Sequence, residues 1–277
     1  MREFHILNLG AGVQSTTIYL LAVDGELGVS LDAAVFADTH EEPTSVYRHL
    51  EWLESLGGPK IHRVSAGKIG DDLVHGINST GHSFASIPCH TSDGNGRTGI
   101  TRRQCTAEYK IRPIEKWIRQ TLVGIRKGQW MPKDVKVNQY MGFSYDEPGR
   151  AARARNRFAQ IRWGEVHFPL IELEMTRAEC ESYLRGRVPH HVPRSACVFC
   201  PYKSNAEWLH LKANDPDGWK RAVQVDASLR DPNSVATRGA THSMFIHRQC
   251  VPLPDVDLGE SPNTSEFEME CEGGCGL

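Results

Sequence analysis

The feature that most constrains this chain is the alternation in its first third. An apolar run, "FHILNL" (Phe4 to Leu9), ends in the turn "GAGVQS". A second apolar stretch, "STTIYLLAVDG", follows. The first run predicts a buried strand. The second predicts a helix that begins at Ser15 or Thr16 and stops at Gly25. "LDAAVFADT" (Leu31 to Thr39) predicts a second buried strand, and "KIHRVSA" (Lys60 to Ala66) a third. Between them, "PTSVYRHLEWLESLG" (Pro43 to Gly57) has apolar residues at helical spacing and a proline at its first turn. "IGDDLVHGIN" predicts a short helix. Strand, helix, strand, helix, strand forces a parallel arrangement, because each right-handed crossover returns the chain to the same edge. The expected fold is α/β, a doubly wound parallel sheet of Rossmann-like type, with ligands at the carboxyl ends of its strands.

The rest of the chain extends this plan. Ser79 to Gly99 is polar and glycine-rich, and reads as a long lid or a partly disordered loop. "TAEYKIRPIEKWIRQTL" returns to a helix, interrupted near Pro113. "VNQYMGFS" (Val137 to Ser144) predicts a strand, and "EVHFPLIE" (Glu165 to Glu172) is expected to end as one. Thr176 with Glu179 forms a capping box before a further helix. From His190 the composition shifts toward Cys, Trp and Pro, so two units are expected, residues 1–189 and a small Cys-containing C-terminal subdomain, residues 190–277. Trp208, Trp219 and Cys180 read as core, and His190 and His191 as loop surface.

Charge and cysteine content narrow the classes of function. A net charge of -2 gives no global field for a polyanion, although "TRRQC" and "GRAARARNRFAQIR" are locally basic. No apolar run approaches the roughly 20 residues that span a bilayer. With no signal-peptide pattern in the first residues, the expectation is a cytoplasmic protein without a membrane partner. Eight cysteines in that setting argue for metal, cluster or redox work over structural disulfides.

Two motifs carry chemistry. A glycine turn between a strand and a helix presents backbone N–H groups at the positive end of the helix dipole, which suits phosphate. "GAGVQST" is neither a Walker motif nor G-x-G-x-x-G, so a plain turn and a phosphate cradle both remain open. Cys197 and Cys200 in "ACVFCPYK" have the C-x-x-C spacing that lets two thiolates hold one metal, and two more ligands are then needed.

"GAGVQS" resembles the Ser-Gly-Gly-x-Asp-Ser loop of the ATP pyrophosphatase superfamily, with Gly10 and Gln14 departing from that pattern. Four further segments resemble the phosphoadenylylsulfate (PAPS) reductase branch in order. They are "FADTHEEPTSVYRHLEW", "RRQCTAEYKIRPI", "MGFSYDEPGRAAR" and the stretch from Phe168 to Ser204 ending in "CVFCPYKS". Together they span about three quarters of the chain, which is similar to PAPS-reductase-like ATP pyrophosphatases of the HUP class.

The resemblance implies a nucleotide site from Leu9, Gly10, Ala11, Gly12, Gln14, Ser15, Thr16, Phe36, Asp38, Thr39 and Gly142. It implies catalytic roles for Ser15, Asp38, Lys110 and Arg150, and substrate or phosphate contacts from Arg102, Arg103, Asp146 and Glu147; for Asp146 and Glu147, ordering their loop, binding metal and a plain surface turn stay open. ATP with Mg²⁺ is the expected substrate pair. A [4Fe–4S] cluster on Cys105, Cys197, Cys200 and Cys275 is expected, with Cys271 as alternative fourth ligand and Cys89 and Cys250 behind it. Zinc is the alternative occupant, and a redox dithiol the third reading.

The expected activity is adenylation of a substrate oxygen for sulfur incorporation, as in DNA phosphorothioation. A cysteine desulfurase would donate the sulfur, partner proteins would help hold DNA, and the chain itself could form a homodimer. Sulfonucleotide reduction, tRNA thiolation and a non-catalytic nucleotide-binding protein stay open as alternatives.

Overall fold

The structure is a computed structural model and describes residues 1–75, 87–232 and 241–259. At its centre is a five-stranded sheet in the order β3-β2-β1-β6-β7. These strands are β1 (Arg2–Leu9), β2 (Ala33–Ala37), β3 (Ile61–Val64), β6 (Val135–Met141) and β7 (Gly164–His167). Every pairing is parallel. The chain runs outward from β1 to β3, then crosses back to β6 on the other side. A topological switch point therefore lies between β1 and β6.

The two-residue period of each strand divides the core into two layers. Leu7, Leu9, Ala34, Phe36 and Tyr140 face α1 (Val13–Val23), α2 (Thr44–Ser55) and α7 (Arg177–Leu184). Ile6, Ala33, Val35, Ala37, Val135 and Val137 face Ile114 and Ile118 on the opposite side. Those two lie in a helical stretch made of a π-helical segment (Thr106–Ile111), α4 (Arg112–Trp117) and a second π-helical segment (Ile118–Leu122). Pro113 lies where the first π-helical segment passes into α4, inside the continuous stretch, so its missing N–H falls at the change of winding. α5 (Pro148–Phe158) covers Met141, Phe143 and Phe168 through Ala151, Ala154 and Phe158. The doubly wound α/β sheet is thus observed.

A second core lies beside the first. It joins Ile69 and Leu73 of α3 (Ile69–His75), Ile87, Cys89 and Tyr109 to Phe199, to Trp208 of α8 (Asn205–Asn214), to Val225 of α9 (Pro216–Ser228), and to Ile246 and Leu253. A three-stranded antiparallel sheet runs β5 (Thr98–Ile100), β4 (His90–Ser92), β8 (Ser243–Phe245). Buried Asp226 accepts from the backbone N–H of Ile246 and Leu253 and from Arg230, and so ties the returning chain to α9. This core draws on both sides of residue 189, so the C-terminal segment is built into α3 and β4 rather than set apart from them. Among the described residues no helix is long and apolar enough to cross a membrane.

Three local expectations change. α1 begins at Val13 with Gly12 as its cap, two residues before Ser15. Glu165 to Glu172 does not end as a strand, because Pro169 starts α6 (Pro169–Glu172). Within the predicted lid, residues 90–100 form the β4–β5 hairpin, while 79–86 lie outside the described residues, as do Cys271 and Cys275.

Candidate functional site

Three loops meet at the carboxyl edge of the sheet. The first is Gly10 to Gly12, between β1 and α1. Ala11 sits there at φ +61° and is fully buried, a left-handed conformation that costs an L residue roughly 1–2 kcal/mol. Strain of that size persists only where the surrounding structure imposes it. Ser15 holds the loop from inside. Its Oγ accepts from the Gly10 N–H at 3.2 Å and its hydroxyl donates to the Gly12 carbonyl at 3.3 Å. Gly12 has no side-chain cap bond. The amides of Ala11 and Gly12, rather than the Ser15 hydroxyl or the Gly10 N–H, are the groups this geometry offers to an anion.

The second loop follows β6 and runs from Gly142 to Glu147. Gln14 reaches it from α1. The Gln14 amide donates to Glu147 Oε2 at 3.0 Å and lies 3.4 Å from Ser144 Oγ; its carbonyl accepts from Arg177 Nη1 at 3.4 Å. Glu147 also receives the Ser144 hydroxyl and pairs with Arg150, whose guanidinium stacks over Phe143 at 4.7 Å. Asp146 accepts the Arg177 backbone N–H at 3.2 Å. Of the readings of Asp146 and Glu147, the contacts shown are those of residues that order their own loop.

The third loop follows β2. Asp38 Oδ1 accepts from the His40 N–H at 2.7 Å and from the Tyr47 hydroxyl at 2.9 Å. Burial and the neighbouring carboxylate push the Tyr47 phenol upward, so it remains a donor. Thr39 donates to Glu42 Oε1 at 3.4 Å, and its Oγ1 lies 3.3 Å from Cys197 Sγ. Glu42 and Lys110 form a buried pair at 3.5 Å, while Glu42 Oε2 has no partner. A buried carboxylate oxygen without a donor among the described residues is costly. The backbone N–H of Val198 donates to the Glu41 carbonyl at 2.7 Å and so seats the C-x-x-C segment against the loop.

Sequence-predicted residues divide accordingly. Gly10, Ala11, Gly12, Gln14, Ser15, Asp38, Thr39 and Gly142 lie at or beside these loops. Leu9 and Phe36 give their side chains to the core, so only their backbone could serve a ligand. Thr16 points away, to His49 Nε2 at 2.8 Å, and His49 Nδ1 meets His190 Nε2 at 2.9 Å. His190 is surface, as expected, but it also ends this buried chain. Arg102 is exposed, and Arg103 lies over the Tyr202 ring. Trp208 and Cys180 are fully buried core. Cys89 is buried too, and its thiol is pushed up to about 12 by desolvation, which makes it a poor thiolate donor.

Cys197 and Cys200 share one turn, closed by the Cys200 N–H on the Cys197 carbonyl at 2.9 Å. Cys105 and Cys197 border the same second core. Among the described residues no group of three or more His, Cys, Asp or Glu side chains is arranged to hold a metal.

Sequence reading missed Glu42, Ser144, Arg177 and His49. The "THEEP" string offers two adjacent glutamates with nothing to say which turns inward, and Arg177 is 163 positions from its partner Gln14. No protein-family model matches the chain, and no curated protein or solved structure matches it.

Proposed function

We propose that this chain is an ATP pyrophosphatase that adenylates a substrate oxygen for replacement by sulfur, with a DNA backbone phosphate as substrate. One observation carries the reading. The strained turn after β1 and the ordered loop after β6 flank the switch point of a parallel sheet, and the acid ends β2 on the same carboxyl edge, where ligands of such sheets bind. In this reading the amides of Ala11 and Gly12 take the phosphates, while the Gly10 N–H stays on Ser15 Oγ. Lys110 and Arg150, each held by a glutamate, supply positive charge toward the leaving pyrophosphate.

Mg²⁺ would be held by Asp38 together with nucleotide oxygens and would neutralise phosphate charge; Asp38 Oδ2, which lies 3.5 Å from His40 Nδ1, is the oxygen suited to it. A [4Fe–4S] cluster or zinc would take Cys197 and Cys200 as two of its four ligands, and no step is assigned to it. Sulfur would arrive as persulfide from a cysteine desulfurase. The polyanionic substrate is favoured by α5, which leaves Arg153 and Arg155 exposed. Arg153 Nη1 lies 3.7 Å from where a Cβ on Gly149 would stand, in the first turn of α5. With a net charge of -2, partner proteins would share the hold on DNA.

The test is pyrophosphate release from ATP and Mg²⁺ by anaerobically prepared protein, with and without DNA. Asp38→Asn keeps an acceptor for Tyr47 and His40 and is expected to lower the rate by about a hundredfold or more. A folded wild-type protein that releases no pyrophosphate with DNA, tRNA or neither would sink the reading.

A further inference from the structure

We infer that Gln14 is a positioning residue that latches the β1–α1 turn to the β6–α5 loop and so sets the width of the crevice between them, rather than a ligand to phosphate. Its side chain is 1% exposed and each end is committed. The NH₂ group faces acceptors, Glu147 Oε2 at 3.0 Å and Ser144 Oγ at 3.4 Å, and the carbonyl faces a donor, Arg177 Nη1 at 3.4 Å. A flipped amide would set oxygen against carboxylate and NH₂ against guanidinium, so the partners fix its orientation.

No other side-chain class suits the position. A carboxylate is acceptor-only and would stand beside Glu147; a cation would stand beside Arg177; an aliphatic group would bond neither. Asparagine is one methylene too short for the same reach. This accounts for the departure at residue 14 from the Asp of the superfamily loop. Here the facing loop already carries the negative charge, on Glu147.

The latch joins three segments. Besides Gln14, Asp146 Oδ1 accepts the Arg177 N–H at 3.2 Å, and the Tyr145 N–H donates to the Met175 carbonyl at 2.8 Å. The start of α7 thus braces the β6–α5 loop from behind while Gln14 braces it from the β1 side. A loop held from two sides keeps Arg150 aimed through Glu147.

The experiment has two arms, and only the second rests on the proposed nucleotide chemistry. In the first, amide hydrogen exchange of residues 142–150 is measured on the free protein. Gln14→Glu is expected to speed it by about tenfold, and Glu147→Gln, which keeps an acceptor for the Gln14 amide but loses the charge, by about threefold. The double variant Gln14→Glu/Glu147→Gln restores a donor–acceptor pair and should return exchange to within about threefold of wild type, since contacting residues couple non-additively. If Gln14→Glu does not fold, Arg177→Met takes its place with a smaller expected effect of about threefold. Unchanged exchange in the single variants, or effects that add in the double, would overturn the latch.

In the second arm, pyrophosphate release by Gln14→Glu is expected to fall in kcat with KM for ATP held within about twofold, as for a residue that does not touch the ground-state nucleotide. A raised KM at unchanged loop exchange would make Gln14 a phosphate ligand and refute the proposal. Were wild type to release no pyrophosphate, the exchange arm would still decide the latch by itself.

Discussion

At the scale of single residues, buried polar groups reveal more about this molecule than its apolar ones. Thr16, His49 and His190 form a chain from the first turn of α1 to the surface, with Trp52 stacked on His49 at 5.5 Å. Burial, reinforced by His190, lowers the His49 pKa from the usual 6.5 to about 3. Between those values the unfolded chain binds a proton that the folded chain refuses, so stability rises with pH there. The His49 contribution is complete above about 6.5 and drains away as pH falls toward about 3. Carboxylates titrate in the same range, so the measurement is a comparison. Urea midpoints of wild type and His49→Gln, taken at pH 7 and pH 4.5, should show the steeper acid loss in wild type. Equal losses would mean that His49 is not the group responsible. None of this was legible in the sequence: a histidine within "YRHLEW" looks the same whether it faces water or a threonine 33 positions away.

At the scale of elements, legibility followed locality. The cap of α7 was readable because all its atoms lie within four residues. Thr176 accepts from the Glu179 N–H, and Glu179 returns the bond to the Thr176 N–H. Thr176→Ala should therefore cost about 1 kcal/mol in a chemical denaturation series, with no change expected in the other helices. The start of α1 was misplaced for the converse reason. Ser15 and Thr16 are strong cap types, but Ser15 is spent inside the preceding turn, on the Gly10 N–H and the Gly12 carbonyl, and Thr16 on His49, which leaves the cap to Gly12. α1 is buried along Val13 to Leu21, polar residues included, so each hydroxyl must find a protein partner: Thr16 takes His49 of α2, and Thr17 takes the Val13 carbonyl one turn back. The strand order was equally non-local. Alternation implied parallel strands, whereas the switch point between β1 and β6 follows from a crossover that no local signal records. The candidate site inherits that split. Its turn and its acid could be read in order along the chain, and the pairings across it could not.

At the scale of the whole molecule, the C-terminal segment and the sheet are held together by charge as well as by a shared core. Arg221 of α9 pairs with Glu41 at 2.7 Å and also with Asp71, while Glu41 has a side chain only 6% exposed. Glu41 precedes Glu42 in the β2 loop, and its carbonyl receives the Val198 N–H. Docking of α9 therefore bears on the same loop that carries Asp38 and Thr39. Removing one partner strands a largely buried carboxylate, which costs about 3–5 kcal/mol for a fully buried pair and less here because Arg221 is partly exposed. Arg221→Met should thus destabilise more than Glu41→Gln, which leaves its charge gap at the better-solvated end, and the double variant should recover part of the loss. Gly70 offers an independent perturbation of the same contact. A Cβ there would stand 2.0 Å from Glu41 Oε1 and 2.6 Å from Arg221 Nη2, so Gly70→Ala must displace both side-chain ends from their present positions. If the ion pair is what joins the halves, Gly70→Ala and Arg221→Met will not add, and limited proteolysis of both variants will cut first between residues 190 and 205. Full additivity, or a first cut elsewhere, would assign the docking to the apolar core around Phe199 and Trp208 instead.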